Sequence, residues 1–200
     1  MLSSSKKTLA RIAVGWIACL PTTSCRVRED PNPKTFPETG GAMPELFGRD
    51  EHGAEFKLTN LRGKLVLLFF GYASCPDVCP WTLSLLKAAL DQVENAKDVR
   101  VVFVTVDPER DSEEIMNKYV NEFGFPDQFI GVRPTSLEAV TKDFRLMVER
   151  VALTGTVAGG YYAINHTSTI LLIDRRGNLA TRFWPGADPK SIASALRVRL

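Results

Sequence analysis

Two cysteines stand where a buried strand is predicted to give way to a helix. Cys75 and Cys79 are separated by three residues, and each is followed by a proline, Pro76 and Pro80. The unbroken apolar run 65–70 precedes them, which is typical of a strand buried on both faces. Thiolates are favoured at a helix N-terminus, because the free N–H groups and the helix dipole stabilise negative charge. Such a pair can form a disulfide or bind a soft metal ion.

The cysteine pair alone leaves redox chemistry and metal binding open. A thioredoxin motif has two residues between its cysteines; the three found here widen the loop without forbidding a disulfide. Two thiolates form a soft donor set that suits Cu(I), with zinc as the usual competitor. Zinc prefers four ligands, so it would need two further protein groups. A single structural disulfide is the third interpretation.

His166 is the natural third ligand. The chain has two histidines, and His52 lies at the polar tip of a predicted hairpin, where a solvated turn residue is expected. His166 comes just before a predicted central strand, whose end would approach the cysteine loop. A lone histidine can equally be a hydrogen-bonded structural residue. Two thiols and one imidazole would make a three-coordinate site for Cu(I), and Cu(II) would take one further oxygen or nitrogen ligand.

The composition is that of an ordinary globular protein. Of 200 residues, 44% are hydrophobic and 24% are charged, which is enough for one domain with a sizeable core. No basic patch is dense enough to indicate nucleic acid, so we expect no nucleic-acid partner.

Residues 1–25 are typical of an export signal. Three basic residues precede the short apolar run 12–20, which is too short for a confident membrane-spanning helix. Cys25 follows small residues, as at a bacterial lipoprotein cleavage site, and is a candidate for lipidation. A cleaved signal and an uncleaved anchor are the alternatives. We therefore expect the protein on the periplasmic side of the bacterial inner membrane, anchored or lipidated.

The predicted export signal leaves two of the four cysteines in the folded domain. Cys19 lies inside the signal and Cys25 at its end, so Cys75 and Cys79 are the cysteines of the folded part. Residues 26–44 are rich in proline and glycine among polar residues, which predicts a flexible tether. The packed domain is expected over residues 45–200.

Apolar spacing and turn signals predict an alternation of strands and helices, and hence a layered α/β domain with a central sheet. The first predicted elements are a hairpin within 45–58, a strand at 65–70 and a helix burying Leu83, Leu86, Leu90 and Val93. A strand at 99–106 follows, then a helix capped by Asp111 that buries Ile115, Tyr119 and Phe123, and a helix with a capping box at Thr135 and Glu138. After a glycine-broken segment at 148–168 come paired strands at 169–173 and 179–184 and a final helix from Asp188 and Pro189.

Three segments, 71–80, 106–111 and 165–167, resemble the signatures of the Sco/SenC family. The resemblance spans about residues 41–200. It implies a thioredoxin-like α/β fold with a central mixed sheet flanked by helices, an N-terminal hairpin, and an inserted loop or hairpin before the His-bearing strand. Members commonly carry aspartate where this chain has Asn165, and a proline is absent from the turn at 174–177.

The resemblance also implies a set of site residues. Cys75, Cys79 and His166 would be the copper ligands, for Cu(I) and also Cu(II), and Asp107 a nearby acid in contact with the ligands. Asp77, between the cysteines, is a second candidate for such a contact. Each aspartate has a structural interpretation too: Asp77 as a helix cap or Asx-turn, and Asp107 as a residue that orients its loop. The charged run 109–111 is expected to be solvated.

By the same resemblance the protein is expected to be an exported copper metallochaperone. Its partner would be the copper-centre subunit of cytochrome c oxidase, with a copper donor protein and a thiol reductant upstream. The alternative is an enzyme: a thiol–disulfide oxidoreductase that acts on cysteines of that subunit, or a thiol peroxidase, with Cys75 and Cys79 as its redox-active disulfide. The two functions are compatible, since copper binding itself requires both thiols reduced.

Overall fold

The computed structural model describes residues 39–124, 128–152 and 162–200. The predicted export signal at 1–25, with Cys25, and the greater part of the predicted tether lie outside these ranges. Within them, no helix has both the length and the apolar character needed to cross a bilayer.

The described part of the chain forms nine strands, four α-helices and two short 3₁₀ helices, at Leu58–Leu61 and Ala96–Asp98. The strands are β1 Phe47–Asp50, β2 Glu55–Lys57, β3 Leu65–Gly71, β4 Val99–Thr105, β5 Phe129–Pro134, β6 Val148–Ala152, β7 Tyr162–His166, β8 Ile170–Ile173 and β9 Leu179–Phe183. The helices are α1 Val78–Leu90, α2 Glu113–Asn121, α3 Leu137–Asp143 and α4 Pro189–Arg197.

Seven of the strands form one sheet in the order β2-β1-β5-β4-β3-β8-β9. The three central strands β3, β4 and β5 run parallel, whereas β1 and β2 on one side and β8 and β9 on the other pair antiparallel. Helix α1 packs against α4, and α2 packs against β5. The predicted mixed sheet flanked by helices is therefore confirmed.

Strand β3 is the centre of this sheet. It pairs with β4 on one side and β8 on the other, and all seven of its residues are buried. A strand enclosed on both edges and both faces needs no alternation of polar residues, which explains the continuous apolar run in the sequence. It ends at Gly71, immediately before the cysteine loop.

The predicted helices are present, but two of their details were wrong. Ser112, not Asp111, caps α2, and its Oγ accepts a hydrogen bond from the N–H of Ile115. Ser136, not Thr135, caps α3. In both cases the neighbouring serine has the extended backbone and the short hydroxyl that a cap requires.

The core-facing side of α2 also differs from the predicted one. Ile115 is 45% exposed, whereas Met116 and Val120 are buried. Tyr119 and Phe123 pack partly against the core, as expected for aromatic residues at this spacing. The helix is therefore rotated by about one position from the apolar stripe that the sequence indicated.

The last residues of the predicted tether are fixed to the domain. The N–H of Gly40 donates to the carbonyl of Leu179 at 2.7 Å, and that of Met43 to Gly177 at 3.0 Å. Residue Ala42 also forms a bridge with Asn178. The tether prediction therefore extends too far: residues 40–43 pair with the edge of the sheet instead of being free.

The predicted inserted hairpin is formed by β6 and β7, which pair only with each other within the described ranges. His166 is the last residue of β7 and so belongs to the hairpin itself. The chain then enters β8, the strand beside β3.

Candidate metal centre

The cysteine loop leaves the sheet at the end of β3. The N–H of Cys75 donates to the carbonyl of Tyr72 at 3.2 Å, which closes a turn. Cys75 is half-buried, and Cys79, in the first turn of α1, is fully buried. Both are free thiols rather than a disulfide. One sulfur is therefore accessible from solvent while the other is enclosed.

The position of the Cys79 sulfur requires a glycine in β3. A Cβ atom at Gly71 would lie 2.7 Å from Sγ of Cys79 and 2.7 Å from Cε2 of Phe103. Phe103 is buried in β4 and has no free volume to move into. Gly71 thus leaves the space that the buried sulfur occupies.

His166 is the third potential ligand and reaches the two cysteines from the hairpin β6–β7. Its Nε2 lies 3.6 Å from Sγ of Cys79, and its ring meets the rings of Tyr72 and Phe69 edge-on at centroid distances of 5.8 and 6.4 Å. Its Nδ1 lies 3.1 Å from the carbonyl of Thr167. Because a carbonyl only accepts, this bond places the proton on Nδ1 and leaves Nε2 free to bind a metal, as in most histidine metal ligands.

The three potential ligand atoms lie within 4.8 Å of one another. Ligands at about 2.0–2.3 Å from one ion are separated by roughly 3.5–4.5 Å, so only small shifts are needed to place an ion between them. Two thiols and one imidazole are a donor set for Cu(I). No fourth His, Cys, Asp or Glu joins this group within the described residues, as a closed tetrahedral zinc site would require. The residues present therefore fit copper.

The two thiols have opposite acidities. The pKa of Cys75 is lowered to about 3, chiefly because the Cys79 thiol donates a hydrogen bond to its sulfur. The backbone N–H groups of Asp77 and Cys79 act in the same direction. The same hydrogen bond, together with burial, raises the pKa of Cys79. At neutral pH the pair therefore carries one proton, held by Cys79, and Cys75 is the thiolate.

Asp77 contributes through its backbone. It occupies the N-cap position of α1, but its exposed side chain makes no capping hydrogen bond, so the predicted side-chain cap was wrong. Its N–H helps to lower the pKa of Cys75.

Asp107 lies outside the group of potential ligands. It is completely buried, accepts a hydrogen bond at 2.8 Å from the hydroxyl of Tyr162, and forms an ion pair with Arg110. The expectation that the run 109–111 is solvated was therefore wrong in part, because Arg110 packs against two tyrosine rings and Asp111 is buried.

Asn165 lies away from the ligands. It is exposed and pairs with Glu149 across the hairpin. Alternation along β7 places it on the face opposite Ile164 and His166. The departure from the family pattern at this position therefore falls away from the candidate site. His52, as predicted, is an exposed turn residue, with a side chain 68% accessible.

Sequence reasoning did not identify Gly71, Tyr72 or Tyr162 as parts of the site. A glycine at the end of an apolar run was the available signal for close backbone approach. Tyr162 lies four residues before His166, but no local pattern connects it with Asp107, which is distant in sequence.

Fold and site together define a class of protein: an α/β domain with two thiols and an imidazole gathered where the central strand meets the first helix. Residues 45–200 match the sequence profile of the SCO1/SenC family. A SCO2-like protein of Rickettsia felis is 32% identical over 151 residues, which cover 74% of this chain and 72% of the relative. The chain belongs to the SCO1/SenC family.

Solved structures show the same fold. Bradyrhizobium japonicum ScoI with copper bound superimposes with a TM-score of 0.69 at 29% identity, covering 80% of this chain and all of that one. Yeast Sco1 with copper bound gives a TM-score of 0.65 at 25% identity, covering 78% and 86%. The thioredoxin-like fold expected from the sequence is confirmed.

Proposed function

We propose that this protein is an exported copper metallochaperone. It binds one copper ion through Cys75, Cys79 and His166 and delivers it to the copper centre of cytochrome c oxidase. The observation that carries the proposal is the convergence of two thiols and the free Nε2 of an imidazole within 4.8 Å. Relatives of the same fold have copper bound, which supports copper as the ion.

The geometry suits transfer as well as binding. Cys75 is half-buried and belongs to a loop, so one side of the ion would remain open to an incoming ligand. Three ligands leave a coordination position that an acceptor thiolate or imidazole can occupy before a protein ligand departs. The family resemblance supports delivery to the oxidase subunit as part of this proposal.

Binding is tested by titrating the reduced protein with Cu(I) against a competing chelator. The full-length chain carries Cys19→Ser and Cys25→Ser, so that Cys75 and Cys79 are its remaining thiols. We expect one tight equivalent, weakened by more than about 100-fold in His166→Ala, since losing a ligand costs more than losing an outer contact. His52→Ala is the matched control and should bind as the parent does. Equal affinity in all three proteins would remove the three-ligand site.

Delivery is tested separately. The copper-loaded protein is mixed with the soluble copper domain of an oxidase subunit, and metal on each partner is measured after separation. Transfer to a reduced acceptor supports the chaperone. Retention of copper in the presence of excess acceptor would contradict delivery while leaving copper binding intact.

A thiol–disulfide oxidoreductase is the second candidate, favoured by the low pKa of Cys75 and its accessibility. The Cys75 thiolate would attack a substrate disulfide, and Cys79 would then displace the reduced substrate, so that two electrons pass to the substrate and the pair becomes a disulfide. Disulfide reduction by the copper-free dithiol, abolished in Cys75→Ser, would support this activity.

The proposed export and membrane attachment rest on residues 1–25, which include the candidate lipidation site Cys25. Fractionation of cells that produce the full-length protein and the Cys25→Ser variant tests both. Release of the variant alone from the membrane would support lipidation, and retention of both would favour an uncleaved anchor. Recovery of both from the cytosol would contradict export.

A further inference from the structure

The hairpin that carries His166 has its own attachment to the domain. Strands β6 and β7 make no backbone ladder with the seven-stranded sheet in the described ranges. Ile164 is buried, and its N–H donates to the hydroxyl of Tyr72 at 3.3 Å. The position of His166 therefore depends on side-chain contacts between this hairpin and the loops that follow β3 and β4.

The strongest of these contacts centre on Tyr162, at the start of β7. Its hydroxyl donates to Oδ1 of the completely buried Asp107 at 2.8 Å. Its carbonyl accepts a hydrogen bond from Nη1 of Arg110 at 3.0 Å. Nε of Arg110 donates to Oδ2 of the same aspartate. One residue of the hairpin is thus bonded to both members of an ion pair.

The Arg110 guanidinium also contacts both segments that carry the potential ligands. Its central carbon lies 3.7 Å from the centroid of the Tyr162 ring and 5.7 Å from that of Tyr72. Tyr72 belongs to the cysteine loop, and its ring meets His166 edge-on. A cation over an aromatic face is attracted to the ring, and more strongly when it is shielded from water. Arg110 is therefore in a position to connect the cysteine loop with the hairpin.

Arg150 on β6 lies at the edge of this cluster. It binds Glu109 at 2.9 Å, and it lies 4.0 Å from Oδ1 of Asp107 and 4.9 Å from the centroid of the Tyr162 ring. Both charged side chains are largely exposed, so solvent screens the pair and its contribution is small. The contacts of Tyr162 with the buried Asp107 and the partly exposed Arg110, together with the buried hydrogen bond from Ile164 to Tyr72, hold the hairpin more firmly.

We infer that Tyr162 and Arg110 are positioning residues for the metal centre: with Asp107 they hold the hairpin so that Nε2 of His166 stays beside the cysteine pair. The inference rests on the proposed copper binding. A ligand already in place loses less conformational freedom when the ion binds, and this preorganisation increases affinity. The role of Asp107 is then to anchor the hairpin through Tyr162 rather than to contact the ion.

The test uses Tyr162→Phe, which removes one oxygen and leaves the ring over Arg110, together with Arg110→Gln. Tyr119→Phe is the matched control, because the buried hydroxyl of Tyr119 makes no hydrogen bond in the described part of the chain. The Cu(I) dissociation constant is measured by chelator competition in the reduced full-length protein with Cys19→Ser and Cys25→Ser. Amide hydrogen exchange of residues 163–166 is measured without copper.

We expect Tyr162→Phe and Arg110→Gln to weaken Cu(I) binding by about 10- to 100-fold, the usual effect of losing an outer contact that orients a ligand. Exchange at 163–166 should accelerate in both, while the thermal midpoint of Tyr162→Phe and its Cys75 alkylation rate stay near those of the parent. Tyr119→Phe should change neither the affinity nor the exchange.

A double-mutant comparison tests whether the effect passes through His166. In the His166→Ala background, Tyr162→Phe should weaken copper binding no further, because the ligand that it positions is already absent. An equal loss in both backgrounds, or unchanged exchange at 163–166, would overturn the inference. If the parent bound no copper, the proposed function would fail, and the exchange measurement alone would decide whether Tyr162 holds the hairpin.

Discussion

Gly71, the last residue of β3, gives the candidate site the space that it needs next to the sheet. The sulfur of Cys79 and the ring of Phe103 both reach the space next to the α-carbon of Gly71 that a side chain would fill. No other residue type leaves this space open at the end of β3. The glycine is therefore required by the cysteine rather than by its own backbone conformation.

We predict that Gly71→Ala lowers both stability and copper affinity. The added methyl would overlap two buried groups, which typically costs about 1–3 kcal/mol and displaces the sulfur. Gly63→Ala is the control: it introduces strain at φ +88°, but nothing lies within 4 Å of the new methyl. Thermal unfolding and Cu(I) competition distinguish them, because only Gly71→Ala should lose affinity. Equal affinity in both would contradict this account of the glycine.

At the residue scale the thiol pair also gives a pH prediction. In the parent, the alkylation rate of Cys75 should be nearly independent of pH above about 5, because its pKa is about 3. In Cys79→Ala the hydrogen-bond donor is lost, and the pKa should rise toward the ordinary thiol value of about 8.5. The rate should then increase about tenfold per pH unit between pH 5 and 8.

The conservative variant makes this measurement specific. Cys79→Ser keeps a hydroxyl that can donate to the Cys75 sulfur, so its profile should resemble the parent more than Cys79→Ala does. Identical profiles for the serine and alanine variants would show that the hydrogen bond is not what acidifies Cys75.

At the element scale, the turn between β4 and α2 is hydrogen-bonded to the cysteine loop. The buried carboxylate of Asp111 accepts hydrogen bonds from the N–H of Ala73 and the hydroxyl of Thr105. Burial, the largest influence, raises the pKa of Asp111. The folded protein therefore favours the protonated Asp111 carboxyl. The stability that this carboxyl contributes is fully present below the unfolded-state pKa of about 3.9 and is lost as pH rises through the higher folded-state pKa.

We predict that Asp111→Asn is more stable than the parent at pH 7, with the difference shrinking toward pH 4. The amide oxygen can still accept both hydrogen bonds, while the cost of burying a charge is removed. Asp98→Asn is the opposite case, since Lys64 lowers the pKa of Asp98 and its charged form is favoured in the folded state. Chemical denaturation across this pH range should give differences of opposite sign. A loss of stability at pH 7 in both variants would contradict the prediction.

Local patterns predicted most elements and failed where tertiary contacts decide. Strand β3 and the buried face of α1 were readable because periodicity reflects burial directly. Strand β5 was not predicted, since Gly131 and Pro134 interrupt a short segment that has no alternation. At Gly131 the chain passes close to α2, because a Cβ there would lie 3.1 Å from Met116, and this tight approach is invisible in the sequence.

The site residues were predictable to different degrees. The cysteine spacing indicated a reactive pair, and the scarcity of histidines indicated His166 as its partner. Arg110 was assigned to a solvated run, because nothing in its local sequence shows that two tyrosines from distant segments enclose it. Proximity between segments far apart in sequence is set by the sheet order, which local patterns do not encode.

At the scale of the whole molecule, the candidate site and residues 40–43 lie toward opposite ends of the sheet. Residues 40–43 bind the edge near Gly177, at the end where β3 begins. The cysteine loop follows the other end of β3, and seven strand residues span about 20 Å. The cysteine loop is therefore remote from residues 40–43, the first residues of the domain that pair with the sheet.

We predict that deleting residues 26–36 leaves Cu(I) affinity unchanged but reduces copper delivery in cells. The candidate ligands Cys75, Cys79 and His166 lie outside the deleted segment, whereas in the proposed membrane-attached chaperone the tether would set the distance between domain and membrane. Chelator competition on the purified variant and oxidase copper content in cells measure the two effects. A replacement linker of equal length rich in glycine and serine should restore delivery, and failure to restore it would contradict a spacer role.

The central claim is tested most directly by X-ray absorption spectroscopy at the copper edge of the Cu(I)-loaded, full-length protein with Cys19→Ser and Cys25→Ser. We expect a three-coordinate ion with two sulfur ligands and one nitrogen ligand, loss of the nitrogen in His166→Ala, and no change in His52→Ala. A parent spectrum with sulfur ligands alone, or one that His166→Ala leaves unaltered, would contradict it.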